Sequence, residues 1–302
     1  MKKDLVSVED LSKDEIIHIL EKAKEIEDNF SSVVSSKPLD GKVMASLFFE
    51  PSTRTRLSFE TAMKRLGGGV IGFSGTEGTS VKKGETLADT IRVVDGYADV
   101  IVIRHPYEGA ATLVAELAEN PVINAGDGAS RHPTQTLLDL YTIWKEFGSF
   151  NKKIGLAGDL RYGRTVHSLA LALSRFGTEL YFISPESLRM PEHIIRDIKQ
   201  RTRFKEFSSL EGILPELDVL YMTRIQKERF PDPTEYAKIK GVYRLDERLV
   251  KTMKDDAIVM HPLPRVDEIS PEVDRYPQAR YFQQSKNGVY TRMAILCWAL
   301  GC

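Results

Sequence analysis

The chain is poor in cysteine, with only Cys297 and Cys302, 2 thiols in 302 residues. That excludes the disulfide framework of a small secreted domain and fits a reducing cytoplasm. Their C-x4-C spacing has no second pair, so a zinc site built by this chain alone is not expected. The chain also lacks surplus charge. The 42 Lys and Arg nearly balance 43 Asp and Glu, for a net charge of -1. No basic field therefore marks a nucleic-acid binder. Long apolar runs are missing, and none approaches the roughly 20 residues of a membrane span. Met1-Lys2-Lys3-Asp4 leads into a polar helical pattern without the apolar core of a signal peptide. A cytoplasmic location with no membrane partner is expected. Internal repeats and low-complexity tracts are absent from the sequence. What is there is an ordinary soluble composition, 42% apolar and 28% charged. Its length suits one large or two mid-sized domains.

Short apolar runs alternate with helical patterns. Ser12-Lys13-Asp14-Glu15 reads as a capping box that opens a helix to about Asp28. Strands are expected at 43–48, 69–74, 100–103 and 122–124. Helical stretches near 53–66, 86–95 and 109–118 separate them, and a longer one runs from Thr134 to about Phe147. The rhythm then restarts, with strands at 154–157, 180–183, 218–222 and 257–260 and a helix at 165–176. Strands alternating with helices predict parallel sheets joined by right-handed crossovers. The restart near 150 predicts an α/β protein of two domains, each a parallel sheet flanked by helices. The final segment, Val289 to Leu300, reads as a helix that could pack on either domain.

The most informative stretch is Phe49-Glu50-Pro51-Ser52-Thr53-Arg54-Thr55-Arg56. It lies between the apolar run Val43 to Phe48 and a helical face of Leu57, Phe59, Met63 and Leu66. Pro51 breaks the strand, Ser52 or Thr53 can cap the helix, and Arg54 falls in its first turn. An arginine there works against the helix dipole, unless it has an anion to meet. Hydroxyls, a guanidinium and free helical N–H groups at one point make a phosphate cradle. The plain alternative is a capped helix with a solvated arginine.

Other loops that follow strands carry related chemistry, where open parallel sheets bind ligands. The stretch Gly75 to Thr86 is rich in glycine and hydroxyls, and Lys82 and Lys83 make it cationic. It could close over an anion, or be a flexible surface loop. Arg104-His105-Pro106 follows the strand at 100–103. Ser130-Arg131-His132-Pro133-Thr134-Gln135 places His132 before a proline at the first helical position. Gly158-Asp159-Leu160-Arg161-Tyr162-Gly163-Arg164-Thr165 mimics a P-loop, but Arg164 replaces the lysine and no acidic strand end offers a magnesium partner. It also lacks G-x-G-x-x-G, so neither nucleotide hydrolysis nor dinucleotide binding is expected. In Thr223-Arg224-Ile225-Gln226, Arg224 and Gln226 stand two apart and share a face if extended. A guanidinium beside an amide can hold a carboxylate by a forked contact. His261-Pro262-Leu263-Pro264-Arg265 makes a stiff corner with fixed carbonyls, and a cis bond before Pro264 suits it. Each loop alone could be structural; their convergence points to a site.

The motifs PSTRTRLSFE, SVKKGET, RHP, HPTQ, GDLRYGRT, TRIQKERF and HPLPR occur in this order from about residue 4 to residue 300. In sequence and spacing they resemble the aspartate/ornithine carbamoyltransferase family. S-T-R-T marks the whole family. Ornithine members carry His-Cys-Leu-Pro where this chain has His261-Pro262-Leu263-Pro264, and they have an ornithine-binding loop that this chain lacks. T-R-I-Q and H-P-L-P therefore resemble the aspartate branch. The resemblance implies carbamoyl transfer from carbamoyl phosphate to L-aspartate, giving N-carbamoyl-L-aspartate and phosphate, early in pyrimidine biosynthesis. It implies a carbamoyl phosphate domain at 1–134, rejoined by a C-terminal helix at 287–302, and an aspartate domain at 135–286.

The resemblance also implies roles. Ser52, Thr53, Arg54 and Thr55 would bind phosphate, with Arg54 neutralising it as it leaves. Thr55, Arg104 and His132 would polarise the carbamoyl oxygen. Gln135 and the carbonyls of Pro262 and Leu263 would hold the carbamoyl amide. Arg164 and Arg224 would grip the aspartate carboxylates, supported by Gln226, Lys83 and Leu263. Ser80 and Lys83 would come from a neighbouring subunit of a homotrimer with shared active sites. The family uses no metal and no cofactor in this step. It occurs as bare trimers, in larger assemblies with zinc-containing regulatory chains, and fused to other enzymes. Two competing readings are transfer to a cationic amine such as ornithine or putrescine, and an inactive scaffold subunit. The first would want acidic groups where Arg164 and Arg224 stand. The second is disfavoured by the filled ligand positions.

Overall fold

The computed structural model describes residues 2–128, 131–225 and 243–302. The chain divides into two compact units, Met1–Tyr141 with Lys286–Cys302, and Thr142–Ser285. The strand–helix rhythm restarts near 150, while the family resemblance implies a division at 134/135. Both that point and 141/142 fall inside one helix, Pro133–Phe147.

The first unit opens with α1 (Lys13–Asp28) and α2 (Phe30–Ser36). Ser12 and Glu15 form the expected reciprocal cap: Ser12 Oγ accepts from the Glu15 N–H at 3.1 Å, and Glu15 Oε2 accepts from the Ser12 N–H at 2.8 Å. Then follow β1 (Val43–Phe48), α3 (Thr53–Arg65), β2 (Gly69–Ser74), α4 (Leu87–Asp95), β3 (Val100–His105), α5 (Ala110–Leu117), β4 (Val122–Asp127) and α6 (Pro133–Phe147). The four strands are parallel in the order β2-β1-β3-β4.

Alternate residues along each strand face opposite sides. Ala45, Leu47, Ile101 and Ile103 pack with Ile91 of α4 and Ala111 and Val114 of α5. Ser46 faces the other way, and its Oγ donates to Glu60 Oε1 of α3 at 3.3 Å. Helices thus cover both faces, as a parallel sheet requires. Because the strands are parallel, the loops after β1, β2, β3 and β4 leave from one edge of the sheet.

The second unit carries β5 (Lys153–Ala157), α7 (Arg164–Ser174), β6 (Glu179–Ile183), α8 (Glu192–Lys199), β7 (Phe204–Phe207), β8 (Val219–Met222), α9 (Glu247–Val250) and β9 (Ile258–Met260). Its strands are parallel in the order β7-β6-β5-β8-β9. One face buries Ala157, Tyr181, Leu220 and Val259 against Leu214, Leu217, Leu249 and Val273. Three of these elements, α8, β7 and the short α9, have no counterpart in the sequence reading. The edge strand Phe204-Lys205-Glu206-Phe207 is only partly buried, and α8 buries just Ile194 and Ile198. Neither shows a full apolar period.

The last helix, α10 (Tyr281–Leu300), begins before the expected Val289. Its first turns are polar, yet Gln284 and Asn287 are buried. Gln284 Oε1 accepts the His261 N–H at 2.8 Å. Hydrogen bonding rather than apolar periodicity carries the helix through this stretch. Its C-terminal part belongs to the first unit, so the expected return of the terminal helix is observed.

Candidate active site

The cationic centre of the first unit is built at the start of α3. Ser52 is the N-cap residue, extended at φ -151° and ψ 104°, yet its hydroxyl makes no capping bond. An N-cap serine ordinarily accepts from a first-turn N–H. Here the hydroxyl and the first-turn donors both remain available to a ligand. Thr53 and Arg54 are exposed, and Thr55 is buried. Arg54 makes no hydrogen bond or ion pair with any described residue. Burial, and then the like charge of Arg104, hold its guanidinium below the ordinary arginine value.

Arg104 stands at the end of β3 and is mostly buried. Its Nη2 pairs with Glu50 Oε2 at 2.7 Å, and its Nη1 donates to the Ala125 carbonyl at 3.3 Å. Burial lowers its pKa, and the charge and hydrogen bond of Glu50 offset part of that effect. Two guanidiniums and one carboxylate at a helix N-terminus leave net positive potential. That arrangement suits a bound anion.

His132 immediately precedes α6 and is buried. Its carbonyl accepts the N–H groups of Gln135 at 3.0 Å and Thr136 at 3.1 Å. The Gln135 amide donates to Asp139 Oδ1 at 2.9 Å. His105, the second histidine of this unit's strand-end loops, is occupied structurally: Nδ1 accepts the Tyr107 N–H at 3.1 Å, and burial lowers its pKa.

The loop after β2 contains a short 3-10 helix, Ser80–Lys83, which the sequence reading took as an irregular loop. Ser80 and Lys83 are both exposed. Lys82 pairs with Glu77, whereas Lys83 has no partner among the described residues. Gly84 follows at φ 96°, and Thr86 caps α4 by accepting from the Asp89 N–H at 3.1 Å.

In the second unit, Arg164 begins α7, with Gly163 as its N-cap residue. Gly158, at φ 111°, sits so close to β8 that an added Cβ would lie 2.4 Å from the Thr223 carbonyl oxygen. Only glycine permits that approach. Thr223 Oγ1 donates to the Ala157 carbonyl and accepts from the Asp159 N–H, each at 3.0 Å. This contact ties the ends of β5 and β8 and fixes where Arg224 leaves the sheet. Gln226 lies outside the described residues.

The corner after β9 has the expected cis bond between Leu263 and Pro264, and Leu263 has φ 53°. His261 Nδ1 accepts the Leu263 N–H at 2.8 Å, and Nε2 contacts Glu268 Oε1 at 2.6 Å. Glu50 beside Arg104, Thr223 at the end of β8 and Glu268 beside His261 each support candidate residues within their own unit, and sequence reasoning missed their roles. Glu50 stands directly before the P-S-T-R-T-R motif and Thr223 opens T-R-I-Q, so both lay in view, whereas Glu268 carried no such signal.

Among the described residues no group of three or more His, Cys, Asp or Glu is arranged to hold a metal. No described helix is long and apolar enough to cross a membrane.

Fold and site together define an α/β protein with one parallel sheet per unit and a cationic helix N-terminus suited to a phosphorylated ligand. The chain belongs to the aspartate/ornithine carbamoyltransferase family. That family's carbamoyl-P binding domain matches residues 3–145, and its Asp/Orn binding domain matches residues 151–299. An aspartate carbamoyltransferase catalytic subunit from Thermococcus gammatolerans is 59% identical over 301 residues, covering 99% of this chain and 98% of that protein. The catalytic subunit of Methanocaldococcus jannaschii aspartate transcarbamoylase superposes with a TM-score of 0.92 at 54% identity, covering 100% of this chain and 98% of that one. The Trypanosoma cruzi aspartate transcarbamoylase, solved with N-(phosphonacetyl)-L-aspartic acid, gives a TM-score of 0.92 at 40% identity, covering 99% of this chain and 96% of that one.

Proposed function

We propose that this chain is an aspartate carbamoyltransferase. It moves the carbamoyl group of carbamoyl phosphate to the amino group of L-aspartate. The bond from the aspartate nitrogen to the carbonyl carbon forms as the bond from that carbon to the phosphate oxygen breaks. The attacking amine gives up one proton, which balances on the departing phosphate, and the products are N-carbamoyl-L-aspartate and hydrogen phosphate. The observation that carries this reading is the uncapped start of α3, where Arg54 has no hydrogen-bond or ion-pair partner among the described residues and faces the charge of Arg104.

Ser52, Thr53, Arg54 and Thr55 hold the phosphate and stabilise it as it departs. Thr55, Arg104 and His132 polarise the carbamoyl oxygen, on which charge builds as the amine attacks. Gln135 and the carbonyls of Pro262 and Leu263 accept or orient the carbamoyl amide. Arg164, Arg224 and Gln226 bind the aspartate carboxylates, aided by Lys83 and Leu263. Positioning and charge neutralisation overcome the repulsion of two anionic substrates. The residues 1–134 and 287–302 serve carbamoyl phosphate, and 135–286 serve aspartate.

Ser80 and Lys83 act in the site of a neighbouring copy within a homotrimer. Their exposure, and the lack of a partner for Lys83 among the described residues, support this. The reaction belongs to cytoplasmic pyrimidine biosynthesis. A separate zinc-containing regulatory chain is compatible with the description of several relatives as catalytic subunits.

An analogue that joins a phosphonate to aspartate tests the reading. It engages both sets of arginines at once, so calorimetry should show it binding at least about 10²-fold more tightly than either substrate alone. Affinity no better than that of aspartate would contradict a shared site for the two substrates.

A further inference from the structure

We infer that His261 and Glu268 form a buried positioning pair that ties down the loop between them, so that the segment from His261 to Pro264 presents carbonyls and no competing backbone donors to the carbamoyl amide. The inference rests on the reading that the Pro262 and Leu263 carbonyls accept from that amide.

His261 is 2% exposed and Glu268 4% exposed. The Leu263 N–H donates to His261 Nδ1 at 2.8 Å, so that nitrogen carries its lone pair and the ring proton sits on Nε2. Nε2–H then donates to Glu268 Oε1 at 2.6 Å. The other carboxylate oxygen, Oε2, accepts the N–H groups of Val266 and Asp267, each at 3.1 Å. The His261 N–H is taken by Gln284 Oε1 of α10 at 2.8 Å. Pro262 and Pro264 have no N–H to offer. The donors of His261, Leu263, Val266 and Asp267 are therefore all consumed inside the protein. Burial works to raise the Glu268 pKa, but the hydrogen bond from His261 and the backbone N–H of Val266 outweigh it and keep the carboxyl below its ordinary value. The pair thus sets the orientation of the Leu263 peptide, and with it the direction of the neighbouring carbonyls. Glu268 touches no substrate and acts only through the loop.

Glu268→Gln isolates this role, because it keeps the shape and removes an acceptor. One end of the amide must then face a donor, either His261 Nε2–H or the Val266 and Asp267 N–H groups. A carbonyl held by such a loop discriminates carbamoyl phosphate from acetyl phosphate, which has a methyl group in place of the amide nitrogen. Calorimetry with carbamoyl phosphate, acetyl phosphate and inorganic phosphate reads the effect. In the wild type, carbamoyl phosphate should bind about 10-fold or more tighter than acetyl phosphate, the worth of a buried hydrogen bond to a polar partner. In Glu268→Gln that preference should fall toward unity while inorganic phosphate affinity stays unchanged. A wild type without the preference overturns the carbonyl reading and this inference with it. A wild type with it, and a Glu268→Gln that keeps it, leaves the carbonyl reading standing and overturns the pair. Should Glu268→Gln not fold, His261→Asn carries the same comparison. Its side-chain oxygen can accept from Leu263 but cannot reach Glu268, and an unaltered preference in that variant overturns the inference.

Discussion

Arg54→Ala should lower kcat by about 10²–10³-fold or more, the cost of losing one preorganised donor to developing charge. The leaving phosphate gains charge as its bond to carbon breaks, so an arginine at the start of α3 stabilises the transition state more than the bound substrate. The KM for aspartate should change much less, because aspartate is assigned to Arg164 and Arg224. Folding should survive. Arg54 is exposed and makes no hydrogen bond or ion pair with a described residue, so its removal orphans no partner. It also removes a like charge that works against Arg104. Steady-state kinetics with a thermal melt as control decide the matter. A near-normal kcat in a folded variant would remove Arg54 from the chemistry.

Mixing two inactive variants should restore activity. Arg54→Ala damages the phosphate cradle, and Lys83→Ala damages the exposed 3-10 segment assigned to the neighbouring copy's site. In a hybrid trimer some interfaces pair an intact Arg54 with an intact Lys83 from the next chain. Those sites are wild type in composition, and the remainder carry one or both lesions. Dissociating and reassociating the two proteins together should give clear turnover, while each variant treated alone stays inactive. Native mass spectrometry confirms that hybrids form. Hybrids without activity would place Lys83 in its own chain's site. The structure adds a reason to choose Lys83 over its neighbour, since Lys82 is already engaged by Glu77.

Much of the fold was legible because its elements carry clear periods. The strand Val43–Phe48 and the helix that follows were readable from a buried apolar run, a proline break and spaced apolar residues. The edge strand Phe204–Phe207 and the helix Glu192–Lys199 were not, since each buries too little to leave a pattern. The start of the last helix was missed for a related reason: Gln284 and Asn287 are polar yet buried, and Gln284 accepts the His261 N–H, which hydropathy does not register. The residues proposed to meet ligands sit in compact motifs and were readable as such. Residues that act through others were not. Glu50 balances Arg104, and Glu268 fixes the ring of His261, by contacts that depend on how the loops fold back. Ser52 read as a cap from its position, yet its hydroxyl makes no capping bond, a distinction only the folded backbone reveals.

The most direct test of the account is product identification. Purified protein is given carbamoyl phosphate with either L-aspartate or L-ornithine, with no ATP, and the products are separated and identified by mass. The account predicts N-carbamoyl-L-aspartate and equimolar phosphate with aspartate, and no enzyme-dependent product with ornithine. Citrulline from ornithine, or phosphate release without carbamoylated aspartate, would contradict it.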